Sequence, residues 1–113
     1  MRRGDVYDAR LDPVEGSEQG GRRPVVIVSL DAINASSPTV MVAPCTTLRP
    51  QRRLYPSHVV VRAPEGGLSS DSVILAEQTR VVDKRRLLSR RGSLSEESLC
   101  LLSRALRIAL DLD

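Results

Sequence analysis

The sequence lacks almost all of the aromatic residues that usually help to fill a protein core. It contains no Phe and no Trp, and Tyr7 and Tyr55 are its only tyrosines. Val, Leu and Ile must therefore supply the packing of the core. No apolar run approaches the roughly 18 residues that a membrane-spanning helix needs, and residues 1–5 contain no apolar signal-peptide region. These absences predict a cytosolic protein with no membrane association.

Cysteine and histidine are almost as scarce, which argues against metal or redox chemistry. Cys45 and Cys100 stand far apart and match neither a metal-ligand spacing nor a redox pair. In a reducing compartment we expect both to be thiols. No cluster of His, Cys and Asp has metal-ligand spacing, so we predict neither a bound metal nor another cofactor.

Lysine is the third scarcity, because 16 of the 17 basic residues are Arg and Lys84 is the only Lys. The net charge of +3 is modest. A guanidinium group matches two oxygens of a phosphate at once, whereas an ammonium group acts as a point charge. The composition thus favours a polyanionic partner, although a GC-rich genome and solubility explain the same Arg usage equally well.

The pattern of apolar residues predicts one mostly β domain over residues 1–113. Short, β-branched runs separated by turn residues indicate five strands, and the residues from Lys84 to Leu88 indicate a helical turn. The five predicted strands are Asp5–Ala9, Pro24–Leu30, Thr39–Ala43, Ser57–Ala63 and Ser72–Gln78. Strands followed by one helix favour a small antiparallel β-barrel with a helix attached.

The C-terminal segment has the clearest helical pattern. Ser93 as N-cap and Glu96 three residues later form a capping box. Two apolar rows follow at helical spacing. The first row is Leu99, Leu102, Leu106 and Leu110, and the second is Leu101, Ala105, Ile108 and Leu112. Two rows indicate either a helix well buried in its own domain or a helix that also packs against a second subunit.

The densest chemistry lies in the glycine-rich loop from Gly16 to Pro24, just before an apolar strand. It holds a hydroxyl, a carboxylate, an amide and two guanidinium groups. Glycine allows backbone conformations that approach a ligand closely, and loops on a rigid sheet commonly carry binding and catalytic groups. The loop alone predicts a site for a polar ligand or a phosphate.

The loop is one of several motifs that occur in a characteristic order along nearly the whole chain, from Arg2 to Leu112. They are Arg3-Gly4-Asp5-Val6-Tyr7, Leu11-Asp12-Pro13, Gly16-Ser17-Glu18-Gln19-Gly20-Gly21, Arg23-Pro24-Val25-Val26, Ser37-Pro38-Thr39, Val42-Ala43-Pro44-Cys45-Thr46-Thr47, Asp71-Ser72-Val73-Ile74-Leu75-Ala76-Glu77-Gln78 and Val82-Asp83. In these motifs the chain resembles the MazF/PemK (Kid-like) toxin endoribonucleases of type II toxin–antitoxin systems.

This resemblance implies an SH3-like antiparallel β-barrel of about five to seven strands with a C-terminal α-helix. It also implies a homodimer that cleaves single-stranded RNA at short sequence motifs without a metal, inhibits translation, and is neutralised by a cognate, MazE-like antitoxin. The segment from Leu48 to Pro56 departs most from the family pattern, so the resemblance does not indicate which bases are read.

Carried over residue by residue, the resemblance implies that Arg23 and Thr46 are catalytic. Glu18 falls on a loop carboxylate that is implicated in catalysis in some members of the family. It also implies a groove that binds the RNA, lined by Ser17, Gln19, Thr47, Ser72 and Gln78. Metal-free cleavage proceeds by attack of the 2′-hydroxyl on the neighbouring phosphorus, giving a 2′,3′-cyclic phosphate and a 5′-hydroxyl. Arg23 would neutralise the phosphorane, Thr46 would donate to it, and Glu18 is the candidate base.

Each assignment has a structural alternative. Arg23 could be a solvated charge, Thr46 could cap a turn, and Glu18 could pair with a loop arginine to hold the shape of the loop. Ser72 and Gln78 could be ordinary residues at a strand end, and the arginines of the 48–56 segment could form a solvated face. His58, the only histidine, cannot alone supply the acid and the base of a two-histidine ribonuclease, so we expect a structural or RNA-lining role.

Two other functions fit the same fold. A CcdB-like toxin binds DNA gyrase and is not a nuclease, and a catalytically silent barrel could bind RNA or a peptide. The combination of Arg23, Thr46 and Glu18 favours the nuclease, because a gyrase inhibitor has no use for a phosphate-transfer site.

Overall fold

A computed structural model describes residues 1–113 as seven β-strands, two α-helices and three single-turn 3-10 helices. The strands are β1 (Asp5–Arg10), β2 (Arg22–Ile27), β3 (Thr39–Thr47), β4 (His58–Val61), β5 (Ser72–Leu75), β6 (Arg80–Asp83) and β7 (Leu87–Ser93). The α-helices are α1 (Asp31–Ser36) and α2 (Glu96–Ala109), and the 3-10 turns are Glu65–Gly67, Ala76–Gln78 and Lys84–Arg86. None of the helices is both long and apolar enough to cross a membrane.

The strands form one antiparallel sheet in the order β4-β5-β3-β2-β1-β7, with β6 paired to β3 outside this path. This arrangement confirms the prediction of a mostly β fold with a C-terminal helix. The expected barrel is an open sheet, however, because the terminal strands β4 and β7 do not pair with each other.

Strand β3 connects the two halves of the sheet. Its first half, residues 39–42, pairs with β6, and its last residues, 45–47, pair with β5. The change of partner occurs around Pro44, which has no N–H group to donate to a neighbouring strand. Because β3 continues past this point to Thr47, its C-terminal end reaches the edge of the sheet where the glycine-rich loop begins and ends.

The core is divided between the two faces of the sheet and contains no buried aromatic residue, as the composition predicts. Alternate residues of β2 point to opposite faces, so Val26 joins one cluster while Val25 and Ile27 join the other. Leu102 and Ala105 of α2 pack into the first cluster. The helix therefore covers one face of the sheet.

The start of α2 differs from the prediction, because its N-cap is Ser95 rather than Ser93. The Ser95 hydroxyl accepts a hydrogen bond from the Ser98 N–H at 3.1 Å, and a Glu65 carboxylate oxygen accepts from the Ser95 N–H. Ser93 is instead the last residue of β7, where it pairs with Asp5 of β1.

The predicted helical turn at Lys84–Leu88 is a 3-10 turn over Lys84–Arg86, and β7 begins directly after it. Strands β6 and β7 were not among the five predicted strands. β7 lacks an alternating pattern and pairs with β1 through two register shifts, so its strand conformation depends on that neighbour. Ion pairs from Arg90 to Asp5 and from Arg91 to Asp8 join the two strands further.

The two apolar rows of α2 have different surroundings. The first row and its neighbours pack on the sheet, with Leu102 fully buried and Leu99 and Leu106 partly buried. In the second row Ala105 is buried, whereas Leu101 and Ile108 are about half exposed. The last residue of each row, Leu110 and Leu112, lies just beyond the end of α2 and is exposed. The chain itself thus covers the first row as far as Leu106 and, of the second row, mainly Ala105.

Candidate functional site

The glycine-rich loop between β1 and β2 is held by polar contacts at its base and in its middle. The Gly21 N–H donates to an Asp12 carboxylate oxygen at 2.9 Å, and the positive φ of Gly21 (73°) suits a residue without a β-carbon. Gln78 binds the other side of the loop. Its Oε1 accepts from the Gln19 N–H at 2.8 Å, and its Nε2 donates to the Ser17 carbonyl at 3.4 Å.

The guanidinium of Arg23 is oriented by two main-chain carbonyl groups. Its Nε–H donates to the Gly20 carbonyl at 2.8 Å, and its Nη1 donates to the Cys45 carbonyl at 3.3 Å. No carboxylate makes an ion pair with it. Two of the five N–H groups are thereby occupied, and the other three can bind a ligand.

Arg23 and Thr46 line the same groove, which has a volume of about 510 Å³. The register of β2 with β3 explains why they meet. Val25 pairs with Pro44 in this antiparallel pair of strands. Two residues further towards the glycine-rich loop, the same register brings Arg23 towards Thr46. Four guanidinium groups and one carboxylate line this groove, those of Arg22, Arg23, Arg49, Arg91 and Asp8. A phosphate is the ligand that such a set of charges suits best.

Thr47 and Ser72 also line this groove, on the ends of β3 and β5. Ser72 is 5% exposed, and its hydroxyl donates to the Ser70 carbonyl at 2.8 Å. Its side chain therefore has a local partner already. Thr47 is exposed, so its hydroxyl is the more available of the two.

The remaining predicted site residues line a separate polar pocket next to the loop. This second pocket includes Ser17, Glu18, Gln19 and Gln78. The structure thus does not bring Glu18 into the groove with Arg23 and Thr46. One Glu18 carboxylate oxygen accepts from the Glu15 N–H at 2.7 Å, and no ion pair joins Glu18 to a loop arginine.

Two charged residues of the groove, Arg91 and Asp8, were not predicted from the sequence. They form an ion pair of 2.9 Å between β7 and β1, and both side chains are largely buried. Their proximity depends on β7, whose sequence gives no strand signal, so only the high Arg content pointed towards them. Beneath the groove, burial raises the pKa of the Cys45 thiol to about 12, although Arg23 and Arg91 act in the opposite direction.

His58 takes a structural position next to the second pocket. Its side chain is 3% exposed, its Nδ1 accepts from the Tyr55 N–H at 3.1 Å, and its Nε2 lies 2.9 Å from a Glu77 carboxylate oxygen. Since Nδ1 is the acceptor, Nε2 carries the proton and donates to Glu77. Burial acts to raise the pKa of Glu77, but hydrogen bonds from His58, from its own backbone N–H and from Ser57 outweigh burial and lower it.

Nowhere in the structure do three or more His, Cys, Asp or Glu side chains converge in a way that could hold a metal ion.

Comparison with known proteins gives one consistent family. The family model of PemK-like, MazF-like toxins of type II toxin–antitoxin systems matches residues 2–110. The Mycobacterium tuberculosis toxin MazF-mt6 is 28% identical, with a TM-score of 0.80 over 96% of this chain and 98% of that one. MazF from Deinococcus radiodurans is 26% identical, with a TM-score of 0.83 over 99% of this chain and 97% of that one.

A mycobacterial endoribonuclease, solved in complex with its cognate antitoxin, is also 26% identical, with a TM-score of 0.82 over 100% of this chain and 97% of that one. The matched residues include every strand and both α-helices. The resemblance noted in the sequence is therefore confirmed, and the chain belongs to the PemK/MazF family of toxins of type II toxin–antitoxin systems.

Proposed function

We propose that this chain is a metal-independent endoribonuclease toxin that cuts single-stranded RNA at a short sequence motif and thereby inhibits translation. The observation that carries the proposal is the position of Arg23, whose two carbonyl anchors leave three N–H groups free in a positively charged groove beside Thr46. An endoribonuclease among the similar structures supports the same activity.

In the proposed reaction the RNA 2′-oxygen attacks the adjacent phosphorus and the bond to the 5′-oxygen breaks. The 2′-hydroxyl loses its proton, the 5′-oxygen gains one, and the products are a 2′,3′-cyclic phosphate and a 5′-hydroxyl. Arg23 stabilises the charge on the phosphorane oxygens, and the Thr46 hydroxyl donates a hydrogen bond to the same phosphate. Thr47 and the main chain around Ser72 contact the flanking nucleotides along the groove.

Glu18 is the candidate base on the loop, although its present position is outside the groove. Moving it towards Arg23 requires breaking its bond to the Glu15 N–H and rearranging the loop. If Glu18 is the base, Glu18→Gln abolishes cleavage. If it only holds the loop, the same variant cleaves at a rate close to that of the unmodified protein. Ser17, Gln19 and Gln78 are proposed to contact the RNA where the loop borders it.

The test of the activity is incubation of the protein with mixed single-stranded RNA in the presence of EDTA. We expect fragments that end in a cyclic phosphate, a strong loss of cleavage in Arg23→Ala and Thr46→Ala, and unchanged cleavage in Arg85→Ala. Arg85 is an exposed arginine that pairs with Asp83 away from the groove. RNA that stays intact, or cleavage that Arg23→Ala leaves unchanged, contradicts the proposal. Sequencing the 5′ ends of the fragments identifies the motif.

Two protein partners belong to the proposal. A cognate, MazE-like antitoxin would bind and neutralise the chain, as the antitoxin complex of the similar mycobacterial endoribonuclease suggests. Co-expression with the neighbouring gene should yield a complex and restore growth. A homodimer would cover exposed residues of the second row of α2, notably Leu101 and Ile108. Sedimentation equilibrium should therefore give twice the mass of the chain.

A further inference from the structure

The segment between β3 and β4, residues 48–57, contains a second positively charged hollow next to the groove. It shares Thr46, Thr47 and Arg49 with that groove and continues to Arg52 and Arg53. No hydrophobic residue lines it. None of the three arginines makes an ion pair with a carboxylate, and the Nε–H of Arg52 is buried without a hydrogen-bond partner. The hollow thus offers cationic donors that the protein itself does not use.

Tyr55 stands at the far end of this segment and is 51% exposed. It is one of only two tyrosines in a chain without Phe or Trp. The Arg53 guanidinium lies over its ring, with the Cζ atom 5.4 Å from the ring centroid. An exposed aromatic ring beside an unpaired guanidinium is the combination on which unstacked nucleobases commonly bind.

The position of the Tyr55 ring is supported by contacts with the buried side chain of His58. Its ring and the His58 ring are nearly perpendicular, with an interplanar angle of 82° and centroids 5.4 Å apart. The same His58 accepts a hydrogen bond from the Tyr55 N–H and donates one to Glu77. His58 therefore holds both the backbone and the ring of Tyr55. A ring that is already supported in place loses less conformational entropy when it binds a base.

We propose that Tyr55 and Arg53 form a stacking site for one nucleobase of a single-stranded RNA, outside the linkage that is cleaved. Arg49 and Arg52 bind the phosphates between that base and the groove. The Arg53 guanidinium moves to the outer face of the base or to a phosphate, because no carboxylate holds it. The inference rests on the proposed function for the identity of the ligand, but it concerns binding rather than the reaction.

Tyrosine fluorescence tests this site directly, because the chain has no Trp. The protein used is the full chain with Tyr7→Phe, which leaves Tyr55 as the only fluorophore. The probe is a mixed-sequence, single-stranded DNA oligonucleotide, which has no 2′-hydroxyl and so survives the proposed reaction. We expect the probe to quench the fluorescence of Tyr55. An abasic oligonucleotide of equal length has the same charge, and it should not.

Binding measurements with substituted proteins separate stacking from charge and from apolar contact. Tyr55→Phe should bind the probe as the unmodified protein does, whereas Tyr55→Leu should bind it roughly ten-fold more weakly, within the range found for single stacked bases. With the abasic probe the two variants should bind equally. Arg53→Ala should weaken binding of both probes, and Arg85→Ala should weaken neither.

Two outcomes overturn the inference. Equal binding of the base-containing probe by Tyr55→Leu and Tyr55→Phe shows that the ring does not stack on a base. If Tyr55→Leu instead changes only the mass measured by sedimentation equilibrium, the surface is a protein interface. Neither outcome depends on cleavage, so this inference can fail while Arg23→Ala still abolishes cleavage, and the proposed function can fail while the probe still quenches Tyr55.

Discussion

Replacing Arg23 by lysine tests the geometry of the groove more sharply than removing the side chain. Lysine keeps the positive charge but concentrates it on one nitrogen. Arginine uses Nε and Nη1 to bind the Gly20 and Cys45 carbonyls, and it still has three N–H groups for a phosphate. A lysine nitrogen cannot bind both carbonyls and present a fork to a phosphate, so Arg23→Lys retains the charge and loses the orientation.

The size of the effect follows from these contacts. Loss of one oriented donor to a developing negative charge usually costs about 2.7–4 kcal/mol, or roughly a hundred- to a thousand-fold in kcat. Because the charge is kept, KM should change by no more than about three-fold, since uniform electrostatic attraction contributes similarly to the ground state and the transition state. The Gly20 and Cys45 carbonyls lose their hydrogen bonds to the guanidinium and bind water instead. We therefore expect the free energy of unfolding to fall by about 1–3 kcal/mol for the two bonds together.

The assay is the cleavage rate of a defined single-stranded RNA under EDTA, with kcat and KM measured separately. Urea denaturation of the same samples shows whether the variant is folded, and Arg85→Lys serves as the matched control. A folded Arg23→Lys protein that cleaves within about three-fold of the unmodified rate refutes the reasoning, since a point charge would then replace the oriented fork. A large rise in KM with unchanged kcat also refutes it, because the residue would then act in binding alone.

Gln78, Glu77 and the two cysteines offer further tests of the contacts around the site. Gln78→Ala removes both bonds to the glycine-rich loop, so hydrogen exchange of the loop amides should become roughly three- to ten-fold faster, and equal exchange rates contradict this. The lowered pKa of Glu77 stabilises the fold fully above its ordinary value of 4.5, and that contribution is lost as the pH falls through the lowered value. In Glu77→Gln the urea midpoint should therefore fall less steeply as the pH is lowered below about 4.5, and an unchanged pH dependence contradicts the sign. Cys45 is buried with a pKa raised to about 12, whereas Cys100 is exposed. A thiol reagent should therefore modify Cys100 in the native protein and Cys45 only after unfolding. Equal rates of modification of the two thiols in the native protein contradict this.

The β-branched runs predicted the central strands well because these strands are buried on both faces, which makes their apolar residues continuous along the chain. Val25, Val26 and Ile27 are all fully buried, with Val26 on one face of the sheet and Val25 and Ile27 on the other. β7 could not be found in this way, because its polar residues are ordered by ion pairs to β1 rather than by burial. The N-cap was misplaced by two residues for the same reason, since the end of β7 determines where α2 begins.

The candidate site was likewise predictable only in part. Arg23 and Thr46 were assigned from motif residues, and the pairing of β2 with β3 brings them into one groove. The position of Glu18 depends on how Gln78, 60 residues later in the chain, holds the loop. A contact of that range is not visible in a local pattern. The separation of Glu18 from the groove was therefore not predictable from the loop sequence.

The two anchors of Arg23 belong to the main chain, not to side chains. The Gly20 and Cys45 carbonyls are retained by any substitution that preserves the loop and the end of β3. The orientation of the guanidinium thus does not depend on which side chain occupies position 45, as long as the strand keeps its register. Under the proposed function, substitutions around the groove can then alter which RNA is bound while the guanidinium of Arg23 keeps its direction.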